Sequence, residues 1–321
     1  MTEVSFELFN NTLVQQMVGS QDANLRLIEK ILGVEISSFG NKITIKGKKT
    51  AAEQAKTAID VLYNKVSRGI EIGEQEVNAA VRLSGDNVTT QEAVDLSNLV
   101  LKTKKRHIYP RSATQAEYIQ TMMNNELVFG LGPAGTGKTY LAVALAVSMM
   151  LEGVIDKIIL SRPAVEAGEN LGFLPGDLKD KVDPYLRPLY DALYEMLPAE
   201  QVDKKIALGE IEIAPLAFMR GRTLSNAFII LDEAQNTTPM QMKMFLTRLG
   251  ENSRMVVNGD LSQVDLPRGV ISGLRDALDV LKGTSNIGSV RFSAADVVRH
   301  GLVAKIVKAY EDKSKKEYGD E

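Results

Sequence analysis

The sequence predicts an α/β fold built around a phosphate-binding loop, with a smaller α+β unit ahead of it. Three observations carry this prediction. Gly132-Pro133-Ala134-Gly135-Thr136-Gly137-Lys138-Thr139 fits G-x-x-x-x-G-K-[ST], and it sits between a short apolar run and an apolar helical stretch. Ala227 to Leu231 is an unbroken apolar run that ends in the carboxylate pair Asp232-Glu233. Residues 1–68 alternate between period-two runs and amphipathic helical runs.

Length and composition set the outer limits. A chain of 321 residues implies two domains rather than one. An apolar content of 44% and a net charge of −3 are ordinary for a globular protein and exclude a basic field over the whole molecule. Any nucleic-acid contact must therefore use local patches. Without cysteine there is no disulfide framework and no thiolate metal site. Two histidines, His107 and His300, are too few for an imidazole cage. No apolar run approaches the roughly 20 residues that span a bilayer. Glu3 and Glu7 stand where a targeting leader would be basic and then apolar, so a cytoplasmic location is expected.

In chain order, Val4, Phe6 and Leu8 alternate and predict a strand over 3–9. A helix follows from about Asp22 to Leu32, with Leu25, Ile28 and either Ile31 or Leu32 on its apolar stripe, Asp22 as N-cap and Gly33 as stop. Val34 to Ser37 and Lys42 to Lys46 read as strands joined at Gly40-Asn41. Thr50 to Val66 reads as a second helix that buries Ala51, Ala55, Ala58, Ile59, Leu62 and Val66. Residues 69–104 read as a linker with short helices, broken at Ser84-Gly85-Asp86-Asn87 and restarted at Thr89-Thr90-Gln91-Glu92. The basic run Lys102, Lys104, Lys105 and Arg106 suits an inter-domain contact or an RNA contact. The loop-bearing domain then covers about 105–312, and 313–321 form a charged tail.

The residue types of the loop follow from phosphate chemistry. Gly135 and Gly137 let the backbone turn so that its N–H groups converge on an anion. Lys138 supplies charge for β- and γ-phosphates, and Thr139 offers a hydroxyl to Mg²⁺. The helix that begins there adds its positive end. Downstream, Asp232 is placed to hold Mg²⁺ through water and Glu233 to polarise the attacking water. Gln263, after the strand Arg254 to Asn258, is the candidate γ-phosphate sensor. The guanine-reading Asn-Lys-x-Asp pattern is absent, and the amide of Gln115 suits an adenine edge, so ATP is expected rather than GTP.

Resemblances to known families add to this. The unit 1–68 resembles a KH domain, a single-stranded nucleic-acid binder, through its element order and through Val18-Gly19-Ser20-Gln21-Asp22, Gly33 to Ile36 and Ile43 to Gly47. Gly19 matches the first loop glycine, whereas Asp22 replaces the second and would repel phosphate. Lys42, Lys46, Lys48 and Lys49 form a local basic patch nearby. Gln115 resembles the adenine-reading glutamine of helicase-type ATPases, and the carboxylate strand resembles that of superfamily 1 helicases. Tyr109 to Gln115, Gly132 to Thr139, Ser161 to Asp177, Leu231 to Asn236 and Asp296 to His300 together are similar to the PhoH family.

These resemblances imply a RecA-like parallel sheet sandwiched by helices, including strands 127–131, 157–161, 227–231 and 254–258. They further imply a homo-oligomer, expected as a hexamer, that acts on RNA in RNA processing or ribosome maturation, with a YbeY-type endoribonuclease as partner. In such a ring Arg299 would reach the neighbour's nucleotide as an arginine finger, the alternative being a local pair with Asp296. Arg268 and Arg291 are the other candidates. An ATPase acting on RNA and a nucleotide-gated binding module with little turnover both fit. A small-molecule kinase would need an acceptor site that the sequence does not display.

Overall fold

The computed structural model describes residues 2–85, 88–163, 178–267, 269–297 and residue 306. The chain runs β1 (Thr2–Glu7), α1 (Asn11–Val18), α2 (Ala23–Leu32), β2 (Glu35–Phe39), β3 (Lys42–Gly47) and α3 (Lys49–Ser67). Next come α4 (Glu74–Leu83), α5 (Thr90–Asn98), β4 (Leu101–Lys102), β5 (His107–Ile108), α6 (Ala113–Asn124), β6 (Leu127–Leu131) and α7 (Lys138–Leu151). It continues with β7 (Lys157–Arg162), α8 (Leu178–Met196), α9 (Ala199–Ala207), β8 (Ile211–Pro215) and β9 (Ala227–Leu231). Last are α10 (Pro239–Leu246), β10 (Arg254–Gly259), α11 (Gly273–Val280) and β11 (Ile287–Arg291).

The N-terminal unit is an antiparallel sheet of order β1-β3-β2 with helices on one face. Period-two alternation decides which face is covered: Ile43 and Ile45 are fully buried, while Lys42 and Lys46 are exposed. The helix α1 escapes a sequence reading because its eight residues bury only Val14, Met17 and Val18, and Asn10 caps it from outside the apolar pattern. Between α1 and α2 the turn Gly19 to Asp22 is tight, with Asp22 N–H donating to the Gly19 carbonyl at 3.3 Å. Asp22 occupies the capping position expected of it, but its backbone is left-handed (φ 57) and its side chain makes no capping bond. Gly33 ends α2 at φ 65, a conformation glycine adopts without penalty. The segment read as a linker contributes α4 and α5, whose Val77, Ala80, Leu83 and Ala93 are buried in the same core as α3. Thr89 starts α5 through a reciprocal capping box with Glu92.

The second unit is a six-stranded sheet of order β11-β6-β10-β9-β7-β8 in which every pairing is parallel. The middles of its central strands are continuous apolar runs because helices cover both faces, with polar residues confined to the strand ends. Val128, Ile158, Leu160, Phe228, Ile230 and Val256 face α6, α7 and α8. Their alternates Phe129, Ile159, Ile229, Leu231, Met255 and Val257 face α10 and α11. This is the P-loop α/β sandwich that the sequence predicts. Each fully buried Ile, Leu or Phe contributes roughly 1.5–3 kcal/mol, so these runs dominate the stability of the sheet. The edge strands β8 and β11 lie outside the four expected strands. In β11 only Val290 is fully buried, and Ser289 and Arg291 are exposed. No helix among the described residues is long and apolar enough to cross a membrane.

The basic run before the sheet is used in packing at its C-terminal end. Lys105 Nζ donates to the Tyr194 carbonyl at 2.7 Å, and Arg106 pairs with Glu195 at 3.2 Å, both at the end of α8.

Candidate functional site: a phosphate loop flanked by two carboxylates

Parallel strands deliver their C-terminal ends to one edge of the sheet, and crevices open there. The strand β10 lies between β6 and β9, so the loops after all three converge. Gly132 to Gly137 leave β6 as a tight loop. Gly132 has φ 134, and a Cβ there would lie 2.5 Å from the Phe292 carbonyl, so no other residue fits. Its N–H donates to the Gly259 carbonyl at 3.1 Å, which ties the loop's start to β10. Gly137 has φ 86 and leads into α7. Thr136 Oγ1 donates to the Pro133 carbonyl at 2.9 Å, closing the loop on itself.

Lys138 is 9% exposed, and its ammonium folds back onto the loop. It donates to the carbonyls of Gly132 (2.7 Å) and Pro133 (2.9 Å). Burial lowers its pKa, while Asp232, Asp260 and Glu233 act in the opposite sense. A desolvated cation with three carboxylates near it, held by two carbonyls and more distantly by the Thr136 hydroxyl, is suited to trading those partners for phosphate oxygens.

Asp232 closes β9, and its Oδ1 accepts the Thr139 hydroxyl at 2.6 Å. Burial pushes its carboxyl above the ordinary range, the Thr139 hydroxyl opposing this. A hydroxyl and a carboxylate in contact are hard oxygen donors of the kind that share Mg²⁺ with nucleotide phosphates. Asp260 supplies a further sign of fit: Oδ1 takes Ser262 N–H and hydroxyl at 2.9 and 2.7 Å, while buried Oδ2 has no partner. The residues present thus fit the expected metal. Thr139 and Asp232 would hold it, and phosphate and water oxygens would complete its shell.

Glu233 follows with a left-handed backbone, φ 53, which costs a non-glycine residue roughly 1–2 kcal/mol. That conformation turns its carboxylate toward the same cavity. Oε1 lies 3.4 Å from Arg162 Nη2 at the end of β7, and Oε2 accepts Gln235 Nε2 at 2.6 Å. Gln235 is 1% exposed and joins the loops after β9 and β10: its Nε2 also donates to the Gln263 carbonyl (3.1 Å), and its Oε1 accepts Asp260 N–H (3.1 Å). Ala134, Gly135, Gly137, Lys138, Thr139, Asp232, Glu233, Asp260 and Gln263 line one cavity of about 240 Å³. Gln263 is brought to this cavity with its side chain exposed. Pro133 and Thr136 shape the loop behind it.

Gln115 lies on the other side of the loop, in the first turn of α6, and is 4% exposed. Its amide is used at both ends. Oε1 accepts Arg111 N–H at 2.7 Å, and Nε2 donates to the Thr136 carbonyl at 3.0 Å. It braces the phosphate loop as well as facing a second cavity beside it. Ser112, which caps α6, donates to Asp296 Oδ1 at 2.8 Å. Asp296 is therefore occupied by Ser112 and Ser293, and its pKa is lowered by those bonds against the effect of burial. Arg299, Arg268 and the stretch Ala164 to Asp177 lie outside the described residues.

Sequence reasoning assigned no role to Arg162 or Gln235. The signal for Arg162 is its position at the C-terminal end of a parallel strand, where such sheets carry their chemistry. Gln235 has a weaker signal, an amide two residues past a carboxylate pair.

Comparison with known proteins places the chain in a family. A family model described as PhoH-like protein matches residues 107–311. A PhoH-like protein of Bacillus subtilis (strain 168) is 51% identical over 296 residues, which span 92% of this chain and 93% of the relative. Protein PhoH of Escherichia coli (strain K12) is 40% identical over 296 residues, 91% of this chain and 82% of the relative. Among solved structures, the UvsW helicase from bacteriophage T4 aligns at 11% identity with a TM-score of 0.37, covering 71% of this chain and 75% of that one.

Proposed function

The chain belongs to the PhoH-like protein family, and from that premise we propose that it binds Mg²⁺–ATP at the loop after β6 and hydrolyses it, with RNA as the macromolecule acted upon. One observation carries the hydrolytic part: Lys138, the Thr139–Asp232 pair and Glu233 line a single cavity where β6, β9 and β10 end. Lys138 leaves the carbonyls of Gly132 and Pro133 and meets the β- and γ-phosphates. Bound Mg²⁺ would neutralise charge on those phosphate oxygens. Glu233 orients a water for in-line attack and accepts its proton. Gln235 carries the position of Glu233 to Gln263 through its two bonds. RNA contact is assigned to the N-terminal unit, on the strength of its KH-like element order and its exposed lysines. A ring of copies, with a cation from a neighbour at the γ-phosphate, would complete a site built on one six-stranded sheet.

A second reading has its own observation. In the described state Glu233 is held by Arg162 and Gln235, and Lys138 is held by its own loop. Such a resting site suits a nucleotide-gated module that turns over slowly until a partner releases Glu233. Steady-state ATP hydrolysis with and without a panel of single-stranded and structured RNAs separates the two. Turnover that rises with RNA and vanishes in Glu233→Gln supports the ATPase. Background rates throughout, with tight ATP binding, support the gated module.

A further inference from the structure

The phosphate cavity of about 240 Å³ is lined by the loop, the carboxylates Asp232, Glu233 and Asp260, and Gln263, and Tyr140 is its one aromatic wall among the described residues. A second cavity of about 540 Å³ adjoins it and shares Gly135, Gly137 and Tyr140 with it. That volume is in the roughly 300–1,000 Å³ range of small-ligand sites. Its walls come from both units of the chain. One wall is the segment from Arg106 to Arg111 with Gln115 and Leu141, and the other is Lys65, Ile70, Gln75, Glu76 and Ala79 from α3, α4 and their connection.

Direct contacts hold these walls in register. Arg111 Nη2 donates to Gln75 Oε1 at 3.1 Å, and Lys65 Nζ lies 5.7 Å from the centre of the Tyr109 ring. The surface between them has the chemistry of a nucleoside site: tyrosine rings from Tyr109 and Tyr140 and a carboxylate from Glu76, beside the Gln115 amide that braces the loop. Glu76 uses one oxygen to cap α4 through Gly73 N–H at 3.0 Å. Arg106, which lines the same cleft and interacts with Tyr140, is paired with Glu195. A nucleotide whose phosphates lie on the loop must place its sugar and base outside the smaller cavity, and the adjoining cleft is where that path leads.

We propose that the cleft between α3–α4 and the 106–111 segment is the nucleoside subsite, so that the N-terminal unit forms one wall of the nucleotide site. This rests on the nucleotide reading above and extends it to the half of the chain that carries no phosphate-loop residue. The base of a bound purine nucleotide is then buried between the two units. Nucleotide occupancy is thereby coupled to how the N-terminal unit sits on the sheet.

The test uses the full-length protein and two probes. In the first, 8-azido-ATP is photo-crosslinked to the wild-type chain and adducts are mapped by peptide mass spectrometry. Adducts within residues 65–79 are expected, and adducts confined to 105–297 would overturn the proposal. In the second, ATP and inorganic tripolyphosphate are titrated calorimetrically against wild type and Gln75→Trp, a substitution at an exposed position that fills the cleft. ATP affinity should fall roughly tenfold or more, the loss of one or two contacts, while tripolyphosphate affinity holds. Unchanged ATP affinity, or an equal loss for both ligands, would overturn the cleft assignment and leave the phosphate loop standing. A wild-type chain that binds neither ligand removes the nucleotide reading itself, and this proposal with it.

Discussion

Replacing Gln115 by alanine separates two jobs that the structure gives one side chain. If Gln115 only reads a base, the nucleotide-free protein should not notice its loss. The geometry says otherwise, because the amide satisfies Arg111 N–H at 2.7 Å and the Thr136 carbonyl at 3.0 Å. Thr136 is fully buried, and Gln115 itself is 4% exposed, so water does not readily replace the lost partner. A stranded buried backbone group costs about 1–3 kcal/mol, and Arg111 N–H is the less buried of the two, so the sum is about 2–4 kcal/mol. For a unit of 150–250 residues each kcal/mol shifts the midpoint about 2–4 °C, giving a drop of about 4–16 °C. The assay is thermal or urea unfolding without nucleotide, followed by circular dichroism because the chain has no tryptophan. Gln115→Glu should also fail, since it keeps the acceptor for Arg111 but sets a carboxylate against the Thr136 carbonyl. An alanine variant with parental stability that loses its preference for ATP over GTP would refute the bracing argument and leave pure base recognition.

Three further outcomes follow from the site. Glu233→Gln keeps the shape and loses the proton acceptor, so it should bind ATP and hydrolyse it roughly 10²–10⁴-fold more slowly, and parental turnover would remove Glu233 from that role. Lys138→Ala should lose ATP binding measured by calorimetry, while its circular dichroism stays parental. Lys65→Met tests the buried ammonium in the inter-unit cleft. Burial lowers the pKa of Lys65 from 10.5, with Glu76 opposing and Arg111 reinforcing. The unfolded chain then binds that proton more tightly, so parental stability rises with pH between the folded value and about 10.5. Urea midpoints should show the variant more stable than the parent at neutral pH, with the gap narrowing toward alkaline pH.

Much of the site was legible in sequence because its chemistry is contiguous. Eight successive residues carry the phosphate loop, and the carboxylate pair closes a run buried on both faces, where hydrophobicity need not alternate. The parts that were not legible depend on partners far away in the chain. Arg162 meets Glu233, and Gln235 meets Gln263, only because parallel strands bring their ends together. The strands β8 and β11 are edges with one partner each, so their apolar demand is weak and their sequences lack the signature of the centre. Residues 69–104 read as a linker because α4 and α5 are short and polar on average, yet one stripe of each completes the core around α3. Asp22 misled in a different way: a good capping residue at a helix start was drawn into a left-handed turn instead.

The strand that carries the phosphate loop is flanked by β10 and β11, the last two strands of the sheet to be made. Tyr118 beneath that strand bonds Asn258, 140 residues later, and Ser112 bonds Asp296, 184 residues later. On the ribosome, at about 5–20 residues per second, each of these partners emerges roughly 7–37 s after the residue it bonds. The N-terminal core, by contrast, closes on contacts within residues 4–96. The growing chain therefore presents a finished N-terminal unit, with its lysines available, well before it has a usable loop for phosphate. A chain truncated ahead of β10 would keep the whole G-x-x-x-x-G-K-T sequence and still have nothing for Gly132 N–H to donate to.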